Sequence, residues 1–214
     1  MKLLPIRSAR TRVLLLALGA AFVSSACAPL VLGGAMMGGA FVATDRRTSG
    51  TQVEDEGIEF KTAARIREQV GDKGHVNVNA YNRMVLLTGE VASEAERARI
   101  EKIAGEVENV RHVLNETAVL GNSSLSSRAS DVTLASKIKI SLVDARDLIS
   151  NAFYVVVERG SVYMMGRVSE REAKRAVEIA RGVSGVQKVV RAFEIISEEE
   201  LARLTPKRVE QPSK

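Results

Sequence analysis

Val85-Leu86-Leu87-Thr88-Gly89-Glu90-Val91 and Val162-Tyr163-Met164-Met165-Gly166-Arg167-Val168 are one pattern written twice, at an offset of 77. After a one-residue deletion the match resumes at 76. Ser93-Glu94 meets Ser169-Glu170, and Ile103, Ala104, Val107, Val110 and Val113 meet Ile179, Ala180, Val183, Val186 and Val189. Self-similarity at one long period is the mark of a duplicated structural module.

Outward from these runs, each copy resolves into the same elements. In the first, Thr62, Ile66 and Val70 recur at helical spacing, Val76, Val78 and Ala80 alternate, and Asn82-Arg83 turns the chain into the strand Val85–Thr88. Ser93 with Glu96 three residues on is a capping box that opens a helix to about Glu106, and Val110–Val119 closes the copy as a strand. In the second copy Asp131 is read as the cap of a helix containing Leu134, Ile138 and Leu142. Phe153, Val155 and Val157 alternate, Arg159-Gly160 turns, and Ser169 with Glu172 is again a capping box. Gly182 ends that helix, Gly185 turns the chain, and Val186–Ile196 is the last strand. Ser197 with Glu200 starts a short terminal helix. The fold class is therefore α+β: two tandem αββαβ modules, each with two helices packed on a three-stranded mixed sheet. Gly89 and Gly166 are read as positions where a strand meets its exit turn and a side chain would strike backbone.

The N-terminal segment has its own logic. Met1–Arg12 is basic, Val13–Val23 is apolar, and Ser24-Ser25-Ala26-Cys27 ends in small residues, the order of a secretory signal. Small residues before the only cysteine resemble a bacterial lipobox, which implies cleavage before Cys27, diacylglycerol on its sulfur and a durable bilayer anchor. Ser24 departs from the usual Leu. Ala28, in place of Asp, implies sorting to the outer membrane. The competing reading is an uncleaved spanning helix, because Val13–Thr44 carries no charge; Pro29 and the pairs Gly33-Gly34 and Gly38-Gly39 argue for a break. The expected organisation is a signal peptide over 1–26, a lipidated, Gly-rich and then polar tether over 27–52, modules over 53–121 and 122–197, and a short helix and tail over 198–214.

The repeated Gly-x-Val strand ends, with Val168-Ser169-Glu170-Arg171-Glu172-Ala173-Lys174 and Val183-Ser184-Gly185-Val186, resemble the BON domain of bacterial envelope proteins. The pair behind a lipobox, joined to it by Thr44–Val53, is similar to the DolP-like family of dual BON-domain lipoproteins. That resemblance implies a non-catalytic outer-membrane lipoprotein facing the periplasm that supports envelope integrity. It also implies a second module that contacts anionic phospholipid.

The residues supply a candidate for that contact. On a helical wheel Leu134, Ile138 and Leu142 share one face of the 131–145 helix, and Val132, Ile140 and Val143 lie nearly opposite. Two apolar stripes cannot enter one core. The second, edged by Lys139 and Lys137, is an apolar patch with a positive rim, suited to a headgroup interface. Packing of this stripe on another protein, such as the outer-membrane assembly machinery, is the alternative. In the first module Lys61, Arg65 and Glu68 oppose the core stripe, which reads as an ordinary solvated face.

Other classes are disfavoured. The chain has 214 residues, 45% of them hydrophobic but only 4% aromatic, with no Trp, so its cores are aliphatic. The formal charge of +5 is dominated by Lys2, Arg7, Arg10 and Arg12 ahead of the cleavage site, and export removes the case for nucleic acid. What remains is an asymmetry: 9 basic and 13 acidic residues over 51–120, against 16 and 12 over 121–214. One cysteine and two histidines, His75 and His112, give neither a metal constellation nor a nucleophile with its base. No catalytic residue, metal, cofactor or small-molecule substrate is expected, since modules of about 65 residues leave little room for a concave pocket.

Overall fold

The computed structural model describes residues 45–71 and 74–204, so Cys27, the signal segment, most of the tether and the tail lie outside the described residues. Helix α1, Ser49–Val70, is followed by strands β1, His75–Tyr81, and β2, Met84–Val91, helix α2, Glu94–Gly105, and two short strands, β3, His112–Asn115, and β4, Ala118–Val119. The second module repeats this with α3, Leu125–Asp144, β5, Tyr154–Glu158, β6, Ser161–Val168, α4, Glu170–Gly182, and β7, Lys188–Ile195; α5, Glu198–Leu204, follows. In both sheets the hairpin is antiparallel and the last strand joins the central one in parallel, as a βαβ crossover requires.

Local chemistry explains the repeat. Asn82-Arg83 and Arg159-Gly160 both hold positive φ at two successive residues, the geometry of a tight two-residue hairpin. An aspartate from the first helix of each module fixes that turn. Asp55 accepts the amides of Asn82 and Arg83 at 2.7 and 2.8 Å, and Asp131 those of Arg159 and Gly160 at 2.8 and 2.9 Å. Asp131 therefore does not cap its own helix. That helix starts earlier, at Leu125, where the Ser124 hydroxyl accepts the Ser127 amide. Gly89 and Gly166 sit within β2 and β6, and a Cβ there would lie 1.9 Å from the His75 carbonyl oxygen and 2.3 Å from that of Ala152.

The two capping boxes differ. Ser169 and Glu172 complete theirs, while Ser93 caps α2 but Glu96 takes the Ala92 amide instead. The closing strand expected over 110–119 is split at Glu116-Thr117. There the Asn115 side chain accepts from the amide and hydroxyl of Thr117 and donates to the Arg97 carbonyl, a local alternative to the ladder.

Each sheet has two buried faces. Val85, Leu87 and Val91 pack under α1 and α2; Val162, Met164 and Val168 pack under α3 and α4. The alternate residues Leu86, Tyr163 and Met165 meet in a third layer with Tyr81 and Ala192, between the sheets. The modules are thus stacked back to back, as helix, sheet, sheet, helix, which is why β2 and β6 read as continuous apolar runs rather than alternating ones.

The polar stretch at the head of the first module is also built in. The buried Arg46 guanidinium grips both carboxylate oxygens of Glu172 at 2.8 Å and donates to the Arg167 carbonyl, and Arg167 donates back to the Arg46 carbonyl. Arg47 pairs with Asp45 and Asp55 and lies 4.2 Å over the Tyr81 ring, whose hydroxyl is pushed up to about 12, chiefly by burial. Asp45–Arg47 is therefore a strap clamped across both modules, not a solvated linker.

Candidate functional site

The outward face of α3 is the feature that the core does not use. Leu134, Ile138 and Leu142 seal it to the second core, leaving Val132 68%, Ile140 61% and Val143 67% exposed. Leu125, at the start of the helix, is 82% exposed. At about 100° per residue, Leu125, Val132, Lys139 and Val143 fall within about 40° of one another, with Ile140 beside them. Lys139 thus stands at one edge of the apolar stripe and Ile140 at the other. Lys137 is turned away and lines a cleft of about 630 Å³ with Asp131, Arg159 and Gln187. Both lysines are exposed, and no described carboxylate forms an ion pair with either.

Hydroxyls on the same helix are internally satisfied. Ser130, Thr133, Ser136 and Ser141 donate to the carbonyls four residues back, at 2.9 to 3.0 Å. This turns polar side chains into groups that ask little of water, and it lowers the cost of laying the helix into an interface.

Leu125 was hidden in the sequence by its setting, Asn122-Ser123-Ser124-Leu125-Ser126-Ser127, which looks like a linker. The first module holds a second surprise. Phe60 is 77% exposed and Val53, one heptad before it, lies on the same side of α1, so that face is not wholly charged. A seven-residue apolar spacing was the available signal.

His75 is partly buried 3.3 Å from the Asn77 amide nitrogen, and burial, then Arg128, hold its pKa down. His112 is exposed. Among the described residues no cluster of three His, Cys, Asp or Glu side chains is placed to hold a metal, and no helix is long and apolar enough to cross a membrane.

A family model of the BON domain matches residues 55–121 and 130–197. Outer membrane lipoprotein DolP of Haemophilus influenzae is 35% identical over 182 residues, covering 84% of this chain and 93% of the relative. The chain belongs to the dual BON-domain outer-membrane lipoprotein family. It is an outer-membrane lipoprotein of the cell envelope. A 21 kDa hemolysin of Actinobacillus pleuropneumoniae is 29% identical, covering 71% of this chain and 79% of its own. The solved structure of CdsD, a structural protein of the type III secretion system of Chlamydia trachomatis, covers 71% of this chain and 99% of its own, with a TM-score of 0.28 and 12% identity, too remote to carry anything over.

Proposed function

We propose that this BON lipoprotein is non-catalytic, is held by acylated Cys27, faces the periplasm, and supports envelope integrity by laying α3 of its second module on anionic phospholipid. Val132, Ile140, Val143 and Leu125 enter the acyl boundary, Lys139 meets headgroup phosphate from the edge of the stripe, and Lys137 reaches phosphate from the side. The observation that supports this reading is a helix with one fully used core face and one exposed apolar face, beside two lysines that have no carboxylate partner among the described residues. The test uses the full-length acylated chain in vesicles, with and without phosphatidylglycerol, carrying a nitroxide at position 132, 140 or 143. Oxygen accessibility of the label should rise and that of a polar relaxant fall only with the anionic lipid; water-like accessibility in both vesicles defeats the proposal.

A second reading, an adaptor for another envelope protein such as the outer-membrane assembly machinery, draws on a different observation. Phe60 and Val53 stand exposed on α1, on the opposite outer layer of the stack. Crosslinking from position 60 in intact cells tests it: a discrete protein adduct favours the adaptor, and lipid or none disfavours it.

A further inference from the structure

One end of the joint between the modules holds more buried acid than base. Glu90, on β2, is fully buried; it accepts from Arg159 of the other module at 3.0 Å and from the Ser123 hydroxyl at 3.3 Å. Glu158, the last residue of β5, is buried against the same place. Its Oε2 accepts from the Asn77 side chain across the joint at 2.8 Å, while its Oε1 is shielded from solvent and meets no hydrogen-bond partner.

The surroundings of Glu158 can be counted by element. From α3 come Asp131, spent on the two turn amides, and Arg128, whose Nε donates to Ser123; from the hairpin turn comes Arg159, already committed to Glu90. From β1 come Asn77 and His75, the latter held toward its neutral form; from β2 comes Glu90; on β6 lies Tyr163, uncharged near neutral pH because burial pushes it up to about 12. Three carboxylates therefore face two guanidinium groups. An unpaired charged oxygen in such a place is far more costly than an unpaired neutral hydroxyl, and one proton removes the excess.

We propose that the joint is proton-linked: Glu158 is protonated while the two modules are docked, and loss of that proton splays this end of the stack. Burial first and Glu90 second push the Glu158 carboxyl above the usual carboxylate range, against the Asn77 hydrogen bond that pulls it down. A carboxyl whose pKa is raised by docking stabilises the docked form fully at low pH, and that contribution is lost as pH rises through the raised value. The far end behaves in the opposite sense. Burial alone would raise Glu172, but the hydrogen bonds from Arg46 and the Ser169 amide hold it low, so the strap keeps its grip as pH rises. The modules should open like a hinge at the Glu158 end while the strap holds the other.

The test uses the full-length acylated protein in nanodiscs, with nitroxides introduced by Arg99→Cys on α2 and Arg181→Cys on α4, both exposed. Pulsed dipolar distances are read from about pH 5 to about pH 9, which spans the range open to a buried carboxyl. One narrow distance should give way to a longer, broader population as pH rises, and Glu158→Gln should keep the narrow distance throughout. In parallel, the infrared band of a buried protonated carboxyl should be present in the wild type at low pH, fade across the same range, and be missing in Glu158→Gln. A wild-type distance that does not change with pH, a Glu158→Gln protein that follows the wild-type transition, or a wild type without the infrared band overturns the proposal. None of these readouts requires the α3 surface to bind lipid.

Discussion

Laid residue 55 on residue 131, the first helices of the two modules agree where they face inward and part where they face out. Ile58, Thr62 and Ile66 fall on Leu134, Ile138 and Leu142, all buried, while Glu56, Ala64 and Arg67 fall on Val132, Ile140 and Val143, all exposed. The turn-fixing aspartate, the strand glycine and the serine cap are common to both copies. Duplication has preserved what makes the fold and has altered one solvent-facing stripe, and the stripe is where a copy-specific role has to reside.

The severest attack on the shared part is at the strand glycines. Gly89→Val and Gly166→Val each drive a Cβ into a neighbouring carbonyl, at positive φ, and should each cost more than about 4 kcal/mol of unfolding free energy in urea. Equal damage in both modules upholds the shared scaffold; a tolerated substitution in one breaks it.

The next largest effect is at the strap, where Arg46 engages the second module. Arg46→Leu leaves Glu172 buried without its cation and should cost about 3 kcal/mol near neutral pH. The pH dependence should also change sign. In the wild type this pair contributes stability above the ordinary carboxylate range and loses it on acidification; in Arg46→Leu, acidification should restore stability by protonating Glu172.

Smaller effects sharpen the outer comparison. Val143→Asp should weaken association with phosphatidylglycerol vesicles about tenfold through lost apolar burial, whereas Arg67→Asp, at the equivalent place in the first module, should leave it unchanged. Lys139→Gln should cost about fivefold, and that loss should vanish in vesicles without anionic lipid. Last is Thr62, buried with its hydroxyl unpartnered where the other module has Ile138. Thr62→Val should stabilise the protein by about 1 kcal/mol in thermal unfolding, since an orphaned hydroxyl is removed at little change in volume.

Most of the fold was legible in the sequence because its determinants are local. The turns at Asn82-Arg83 and Arg159-Gly160, the caps at Ser93 and Ser169, and the repeated β2 and β6 runs each declare themselves within a few residues. The apolar face of α3 was legible for the same reason, through helical periodicity. What escaped depends on distance. Arg46 meets Glu172, 126 residues away, so the strap looked like a charged linker. Asp131 looked like a cap because its true partners lie 28 and 29 residues on, at a turn. Leu125 was masked by serines that cap and open α3 rather than join two domains. The apolar runs of β2 and β6 read as strands, but their cover on the second face is the other module, which no local pattern names.

The back-to-back stack also sets how many contacts one molecule can make with a flat surface. Because the sheets touch through their inner faces, α1 with α2 and α3 with α4 form opposite outer walls. Two equivalent helices that look in opposite directions cannot both lie on one plane, so doubling the module does not double its grip there. The molecule gains sidedness instead: one wall is available to a plane and the other is left free to meet something else at the same time.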